Sequence, residues 1–524
     1  MLTFIPSWQT PSYEGASHDD LVNQIRAYEE TGEAYQVIIH DYIPSLLYFL
    51  HRYDLLECPY QSVYEVLQES AHFEQRQVKV ETLFSPAVSY HFTPSCMLVQ
   101  AGEEEIGQIY FGEGASLQEV RYLEKGHYTR IDTYDARGFL SRYQEFSKGK
   151  AGSFFYLDVS GEWIFEERPD GSCRVNPKNH KGLVKKNYPS REVLEWACVS
   201  LLLEKHNSEP LLIGADEGAL SWLEDYQEAS KVTLSLFKER YPYSPAHMEK
   251  LSALSLRVQA MLVDEEDAFS KLSSFVARPS SLTLLSSYDT RFRLSKSQEY
   301  AKEVLYIDMR KTSMKKSQFM MEQLLSYSAQ SFIEKGRVLQ LVFRVNHLSH
   351  KQEIEHQIMG QLRKDHGSAL DELSFYNKMK ESGENALGEI LEAGLSAEAK
   401  WLEGFQEDME VVVLHHDDEF FKWMHLVRLV IDLGSRPDVF TQMAALSAGV
   451  PQLNSTKSPY VTPMKNGRLV LSQEDFQEAL AYYLDSLKHW QEARVYSVQQ
   501  LKHHSGRALQ EKIATIVGEE RRGR

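Results

Sequence analysis

The chain has 524 residues and a formal net charge of -18, with 57 basic and 75 acidic side chains. A net negative charge does not favour binding to nucleic acid or to an anionic bilayer, because both are negatively charged. A hydrophobic fraction of 42% argues against disorder over most of the chain, and the length indicates about three or four domains at roughly 150 residues each.

The cysteines and the apolar runs indicate a protein of the cytoplasm. The amino terminus reaches Pro6 without a basic region followed by an apolar core, so we predict no signal peptide. No run approaches the length that spans a membrane. We expect neither disulfides nor a zinc site but free thiols in a reducing compartment, because no CxxC pair occurs among the four cysteines, Cys58, Cys96, Cys173 and Cys198.

The first 76 residues predict alternating strands and helices. A strand at residues 2–5 precedes a helix at residues 18–31, with Ser17 as its cap, and a second strand follows at residues 35–40. Alternation of this kind is typical of a doubly wound parallel sheet. We predict a split Rossmann-like domain made of residues 1–76 and 185–300.

Residues 77–184 have a different pattern. Turn signals at residues 135–138, 158–161 and 169–172 separate short segments such as SFFYLDV and GEWIFEE, whose aromatic and aliphatic content predicts hairpin strands. We predict an antiparallel sheet domain inserted in the first Rossmann-like domain. Two roles remain open for it, packing alone and the binding of an extended polypeptide or a partner protein.

Strands and helices alternate again after the insertion. Apolar runs predict strands near residues 211, 234, 261 and 284 in the first half. We predict a second Rossmann-like domain at residues 301–490, with strands near residues 305, 340 and 412 and a long polar helical segment at residues 351–407. Helices at residues 491–524 are predicted to cross back toward the first domain.

The region from Ile431 to Leu471 shows the clearest pattern. An apolar strand at residues 425–433 precedes a helix for which Ser435 and Asp438 fit a capping box. Gly449 fits a left-handed cap at its end, and Pro451 prevents its continuation. One face of the predicted helix holds Phe440, Met443, Ala444 and Ser447.

Residues 445–451, ALSAGVP, resemble the end of the donor-site motif of GT-B glycosyltransferases, which runs acidic-Gly-Phe-Gly, a gap, and then Glu-Ala-Met-Ala-x-Gly-x-Pro. The resemblance implies an α/β fold with two Rossmann-like domains facing a cleft. It places Arg436 and Ala444 where that family has its two glutamates. Neither side chain accepts a hydrogen bond from a sugar or ribose hydroxyl, so sugar-nucleotide binding is expected to be lost and no catalytic residue is predicted.

Three further residues are weighed as remnants of a phosphate or glycan site. Active GT-B enzymes carry an Arg and a Lys beside the donor diphosphate, and Arg310 with Lys315 has a suitable offset. The pattern is compatible with retained phosphate binding, and it is also compatible with two basic side chains that contact only solvent. Two roles are equally compatible with Trp8: its ring stacks on a sugar, or it is a side chain of the core.

Four stretches carry a more specific resemblance: FIPSW at residues 4–8, IIHDYIPSLLYFLHRYDL at 38–55, SSYDTRFRLSKSQ at 286–298 and PDVFTQMAALSAGVPQ at 437–452. Together they resemble the first of the accessory secretory proteins of the streptococcal and staphylococcal accessory Sec system. The resemblance implies a non-catalytic relative of glycosyltransferases, without a cofactor, that helps export serine-rich-repeat adhesins.

The same resemblance implies the partners. These are the second and third accessory secretory proteins, the accessory SecA ATPase and an adhesin that bears N-acetylglucosamine, with recruitment to the membrane only through partners and no contact with nucleic acid. Two alternatives stay open. One is an active sugar transferase with an unusual donor site that uses Arg310, Lys315 and Arg436 beside a helix N-terminus, and the other is a subunit that stabilises a partner transferase.

A metal site is not predicted. His415, His416, Asp417 and Asp418 follow an apolar strand and are of metal-ligating types. Adjacent residues rarely all face one ion, and no further ligand stands at helical spacing from them. We therefore expect a solvated strand end at this position.

Overall fold

The computed structural model of the protein describes residues 1–8, 19–85, 87–204, 209–237, 240–241, 244–286, 293–382, 394–414, 417–435 and 438–518. The chain forms two compact units. The first consists of Met1–Ser287 with Leu509–Arg524, and the second of Tyr288–Ala508.

The first unit opens with alternating strands and helices, as predicted. The strands are β1 (Leu2–Ile5), β2 (Tyr35–Ile39) and β3 (Tyr60–Ser62), and the helices are Asp20–Thr31, Leu46–Arg52 and Val63–Gln68. Helix Asp20–Thr31 is capped by Asp19, whose side chain accepts from the backbone N–H of Val22. The predicted cap, Ser17, lies outside the described residues.

The inserted region forms a ten-stranded sheet in which each strand pairs with its neighbour in the chain. Its hairpins are antiparallel, as the turn signals predicted. The last strand lies beyond the predicted boundary at residue 184 because it pairs with Cys173–Val175. The strands are β4 (Ser89–Phe92), β5 (Met97–Ala101), β6 (Glu104–Phe111), β7 (Leu117–Glu124), β8 (His127–Tyr134), β9 (Leu140–Ser147), β10 (Lys150–Leu157), β11 (Trp163–Glu167), β12 (Cys173–Val175) and β13 (Asn187–Tyr188).

A shared core joins the inserted sheet to the parallel sheet of the first unit. The rings of Tyr156 and Phe165 stack with centroids 4.3 Å apart, and Tyr64 packs against Tyr156 from helix Val63–Gln68 at 5.7 Å. The side-chain amide of Gln68 donates to the carbonyls of Ser141 and Leu157, at 2.9 and 2.8 Å. Buried polar and aromatic contacts of this kind fix the insert to the parallel sheet.

The rest of the first unit completes the parallel sheet. Its strands are β14 (Leu211–Gly214), β15 (Val232–Leu236), β16 (Ala260–Val263) and β17 (Leu282–Leu284), and its helices are Arg191–Leu203, Glu217–Asp225, Pro245–Ser255 and Glu266–Ser273. Helix Gly506–Ile516 begins at the end of the second unit and belongs to the first unit from Leu509 onward. The spatial order is β17-β16-β15-β14-β1-β2-β3. Leu509, Ile513 and Val517 are buried with Leu2 and Phe4, so the chain returns to the first unit.

The second unit contains a six-stranded parallel sheet in the order β20-β19-β18-β21-β22-β23. Its strands are β18 (Glu303–Asp308), β19 (Leu339–Val345), β20 (Glu410–Val413), β21 (Val427–Asp432), β22 (Gln452–Asn454) and β23 (Gly467–Leu469). Its helices are Met314–Lys335, Leu348–Ser382, Ala397–Asp408, Asp417–Leu426, Val439–Ala448, Gln473–Leu484 and Leu487–Gln500. The predicted boundary at residue 490 falls within the last of these helices, because the buried Trp490 and Ala493 anchor that helix in the second unit.

Three details of the second unit differ from the sequence predictions. The predicted long helix departs from helical geometry at His366, with φ -128 and ψ 28. Asp438, and not Ser435, caps helix Val439–Ala448. That helix is buried on all sides rather than on one face, because every residue from Phe440 to Ala448 is buried. A helix enclosed in this way needs no polar face.

No helix in the described ranges is both long enough and apolar enough to cross a membrane. Three of the cysteines, Cys58, Cys173 and Cys198, are buried free thiols, and Cys96 is partly exposed.

The approach of two backbone segments at Gly138 gives a prediction about stability. A Cβ atom at Gly138, where φ is +87°, would lie 1.9 Å from the carbonyl oxygen of Arg76. We expect Gly138→Ala to lower the free energy of unfolding by more than about 3 kcal/mol, because backbone atoms cannot yield as a flexible side chain can. The urea midpoint of the first unit, followed by circular dichroism, measures the effect.

The matched control is Gly171→Ala. Gly171 also has a positive φ, +83°, but a Cβ there meets no atom within 4 Å. We expect a cost of about 1 kcal/mol from the backbone conformation alone. Equal midpoints for the two variants would contradict the close approach at Gly138.

Candidate functional site at the carboxyl edge of the second sheet

The strand order of the second sheet reverses between β18 and β21. In open α/β sheets, ligands bind beyond the carboxyl ends of the strands at such a point. Both strands end in the dipeptide Ile-Asp, which places Asp308 and Asp432 at the same edge. Both aspartates are 3% exposed, so two carboxyl groups lie where a ligand would be expected.

Asp432 binds the backbone of the loop that follows β21. Its Oδ1 accepts from the N–H of Gly434 at 3.0 Å, and its Oδ2 accepts from the N–H of Asp438 at 2.7 Å. Amides at the start of a helix are the groups that bind phosphate in many α/β proteins. Here a carboxyl group of the same chain accepts from the amide of the N-cap residue and from a loop amide.

Asp438 and Arg310 complete the site. The carboxylate of Asp438 accepts from the N–H of Thr441 at 3.1 Å and so caps helix Val439–Ala448. The guanidinium of Arg310 lies 2.6 Å from Asp308 Oδ2 and 2.7 Å from Asp438 Oδ2. Burial alone would lower the pKa of Arg310, but these two carboxylates outweigh burial and hold the pKa above its ordinary value.

Asp432 is surrounded by groups that disfavour its charge. Burial and the neighbouring Asp308 raise the pKa of Asp432 to about 8, against the amides of Asp438 and Gly434, which lower it. Asp432 is therefore largely protonated near neutral pH. An incoming phosphate would meet a cation that two carboxylates already neutralise.

Of the predicted phosphate ligands, Arg310 lies at the site and Lys315 does not take part in it. Lys315 is exposed in the first turn of helix Met314–Lys335. The next residue, Lys316, reaches the site and donates from Nζ to the carbonyl of Leu433 at 2.9 Å. Adjacent residues on a helix point about 100° apart, so Lys316 faces the loop after β21 while Lys315 points elsewhere.

The structure describes one of the two positions at which the resemblance expects a glutamate. Ala444 is 0% exposed and packs in an apolar cluster with Val304, Phe420 and Val430. Its methyl group is thus part of the core. Arg436 lies outside the described residues.

Trp8 belongs to the core of the first unit. Its ring is 5% exposed and contacts Phe49 with centroids 4.7 Å apart. Its indole N–H donates to Asp19 at 3.2 Å, and its backbone N–H donates to Asp41 at 2.5 Å. The ring is enclosed and cannot stack on a sugar in this structure, so the core alternative applies.

An arginine also neutralises carboxylates at the carboxyl edge of the first sheet, a site that the sequence analysis missed. Arg240 Nη1 lies 3.0 Å from Asp19 and 2.7 Å from Asp20, and its Nε donates to the carbonyl of Ala215 at 3.1 Å. Burial and Asp20 raise the pKa of Asp19 to about 6. The adjacent Asp19 and Asp20 were the signal available in the sequence.

The described ranges contain no group of three or more His, Cys, Asp and Glu side chains arranged to hold a metal ion. His415 and His416 lie outside the described residues, and Asp417 begins helix Asp417–Leu426.

The family model described as accessory Sec system protein, accessory secretory protein 1, matches residues 3–520. A relative of the same description from Streptococcus gordonii is 26% identical over 541 residues, which covers 97% of this chain and 97% of the relative.

Two solved structures are similar in fold. The crystal structure of accessory secretory protein 1, 2 and 3 in Streptococcus pneumoniae matches with a TM-score of 0.78 and 24% identity, covering 99% of each chain. The pneumococcal O-GlcNAc transferase GtfA, in complex with UDP and GlcNAc, matches with a TM-score of 0.64 and 11% identity, again over 99% of each chain. The predicted GT-B-like α/β fold with an added antiparallel sheet is confirmed.

Removal of the Arg310 guanidinium tests the charge balance of the site. We expect Arg310→Met to lower the free energy of unfolding by about 3 kcal/mol or more, because the buried Asp308 would lose its cation. The partly exposed Asp438 would keep only Arg344, at 4.0 Å. The matched control is Arg363→Met, since Arg363 and its partner Asp371 are 67% and 75% exposed. The control should cost less than about 1 kcal/mol in the same urea titration, and equal losses would contradict the assigned role.

The raised pKa of Asp432 predicts how stability depends on pH. The protonated form is favoured in the folded state, so its contribution is complete below the unfolded pKa and is lost as pH rises through about 8. Asp432→Asn cannot ionise and should gain unfolding free energy relative to the parent protein by about 1 kcal/mol per pH unit between roughly pH 5 and pH 8. Urea titrations across this range measure the difference, and a constant difference would contradict the assignment.

Proposed function

The chain belongs to the accessory Sec system protein family of accessory secretory protein 1, and from this membership we propose that it serves export as a binding component without glycosyl transfer. We call the site formed by Asp308, Arg310, Asp432 and Asp438 the donor-type site, and the observation that carries the proposal is that the chain's own groups occupy it. Asp432 accepts from the loop amides, and Arg310 is shared between Asp308 and Asp438.

Several features of the site support the absence of sugar transfer. Donor binding in this fold would require the phosphates to replace internal carboxyl groups at the amides and at Arg310. That exchange leaves Asp308 as a buried carboxylate without its guanidinium partner, which costs several kcal/mol by the general rule for broken buried ion pairs. At position 444, where the resemblance expects a glutamate, the buried Ala444 supplies no hydrogen-bond acceptor for a nucleotide.

We propose partners from the family resemblance. The similar structure from Streptococcus pneumoniae is one of accessory secretory protein 1, 2 and 3, which supports the second and third accessory secretory proteins as partners of this chain. The accessory SecA ATPase and the adhesin bearing N-acetylglucosamine complete the proposal. The chain would work in the cytoplasm and reach the membrane through the export motor.

The partner proposal is tested by co-purification. We expect the second and third accessory secretory proteins to elute with the tagged full-length chain from cells that express the export system, because family members are proposed to act as one assembly. Mass spectrometry of the eluate measures this. Recovery of a glycosyltransferase in place of both sister proteins would instead favour a subunit that stabilises a transferase.

The loss of transfer activity is tested by calorimetry. We expect UDP, UDP-glucose and UDP-N-acetylglucosamine to give no saturable heat with the purified chain, because the donor-type site is internally neutralised. The pneumococcal O-GlcNAc transferase, whose structure holds UDP and GlcNAc, is the positive control. Micromolar binding together with turnover of a nucleotide sugar would establish an active transferase and refute the proposal.

A further inference from the structure

Two arginines share one buried indole at the amino edge of the second sheet, the edge opposite the donor-type site. Arg428 is the second residue of β21, and Trp490 lies in helix Leu487–Gln500. The guanidinium carbon of Arg428 is 4.0 Å from the centroid of the Trp490 ring, and that of Arg494 is 5.4 Å from it. The indole N–H donates to the carbonyl of Arg428 at 2.8 Å, which fixes the ring against the strand.

Within the described part of the chain, neither Arg428 nor Arg494 forms an ion pair or a side-chain hydrogen bond. Arg428 is only 5% exposed, and its Nε is buried without a hydrogen-bond partner. Acidic residues outnumber basic ones by 75 to 57 in this protein, so carboxylates are plentiful. A nearly buried guanidinium without a carboxylate is therefore unusual here and costs free energy.

The charged groups around Arg428 do not offset the free-energy cost of burying its guanidinium group. Glu303 is nearby, but its Oε2 lies 3.8 Å from Nε of Arg337, which also binds Asp485 at 2.8 Å. The pKa of Arg428 is lowered from its ordinary value by burial, and Arg337 and Arg494 lower it further against the opposing effect of Glu303. An additional negative charge at this place would relieve both the burial cost and the repulsion.

Gly449 positions the second arginine. A Cβ atom there would lie 3.0 Å from Cγ of Arg494 and 3.1 Å from Cδ2 of Leu294. The absence of a side chain lets the stem of Arg494 pass close to the end of helix Val439–Ala448. The partial negative charge of a helix C-terminus favours a cation in that position.

We propose that Arg428 and Arg494 form a binding site for an oxyanion, a phosphate or a carboxylate group, with the indole of Trp490 as its floor. Both guanidinium carbons lie within 5.4 Å of the centroid of one ring, and each planar guanidinium carries N–H donors of the kind that suits these anions. The site lies at the other edge of the sheet from Arg310 and is independent of the loss of sugar transfer.

The test uses the full-length chain with inorganic phosphate and with succinate, each titrated calorimetrically against sodium chloride of equal ionic strength. We expect saturable binding of at least one of the two anions and a rise in melting temperature that chloride does not produce. Binding of phosphate alone assigns a phosphorylated ligand, whereas binding of succinate assigns a carboxylate.

The decisive variant is Arg494→Met, because Arg494 is partly exposed and its loss leaves the core intact. We expect anion affinity to fall by about tenfold or more, the effect of removing one charged hydrogen-bonding partner. Arg363→Met removes the same charge from an exposed pair and should leave affinity unchanged. Arg428→Lys keeps the charge but loses the planar fork, and should also weaken binding.

The proposal is refuted if the unmodified chain binds neither anion, or if Arg494→Met binds as tightly as the parent protein. An equal loss in Arg363→Met would also refute it, because nonspecific charge would then explain the binding.

Discussion

The guanidinium group of Arg310 bridges two elements at the carboxyl edge of the second sheet. Arg310 lies between Asp308, at the end of β18, and Asp438, at the cap of helix Val439–Ala448. The carboxylates of Asp308 and Asp438 both pair with this cation, which offsets their mutual repulsion, and the guanidinium of Arg344 lies a further 4.0 Å from Asp438. The sheet edge, the loop and the helix start all depend on this charge balance.

The same balance explains how a transferase-like frame can stay intact without a nucleotide. A phosphate at the end of a doubly wound sheet usually accepts from loop amides and pairs with a basic side chain. In this chain, a carboxyl oxygen of Asp432 accepts from a loop amide, and the carboxylate of Asp438 pairs with the basic side chain of Arg310. These internal contacts satisfy groups that a ligand would otherwise satisfy, which supports the proposed service as a scaffold for binding partners.

The sequence predicted the elements better than the site. Apolar runs identified the parallel strands because strands buried on both faces need no polar residues, and turn signals identified the inserted meander. The role of Arg310 depends on how Asp308, two residues earlier, folds against it. Patterns along the chain do not show such pairing. Lys315 illustrates the same limit, since one residue on a helix changes the direction of the side chain by about 100°.

The return of the chain to the first unit has a consequence for its synthesis. Leu509, Ile513 and Val517 pack with Leu2 and Phe4, although the whole second unit separates them in the chain. A ribosome therefore releases the opening strands long before the residues that shield them exist. During that interval apolar surface stays uncovered, and contacts between such distant residues form slowly. The unit that is translated first is therefore the last to complete its folding.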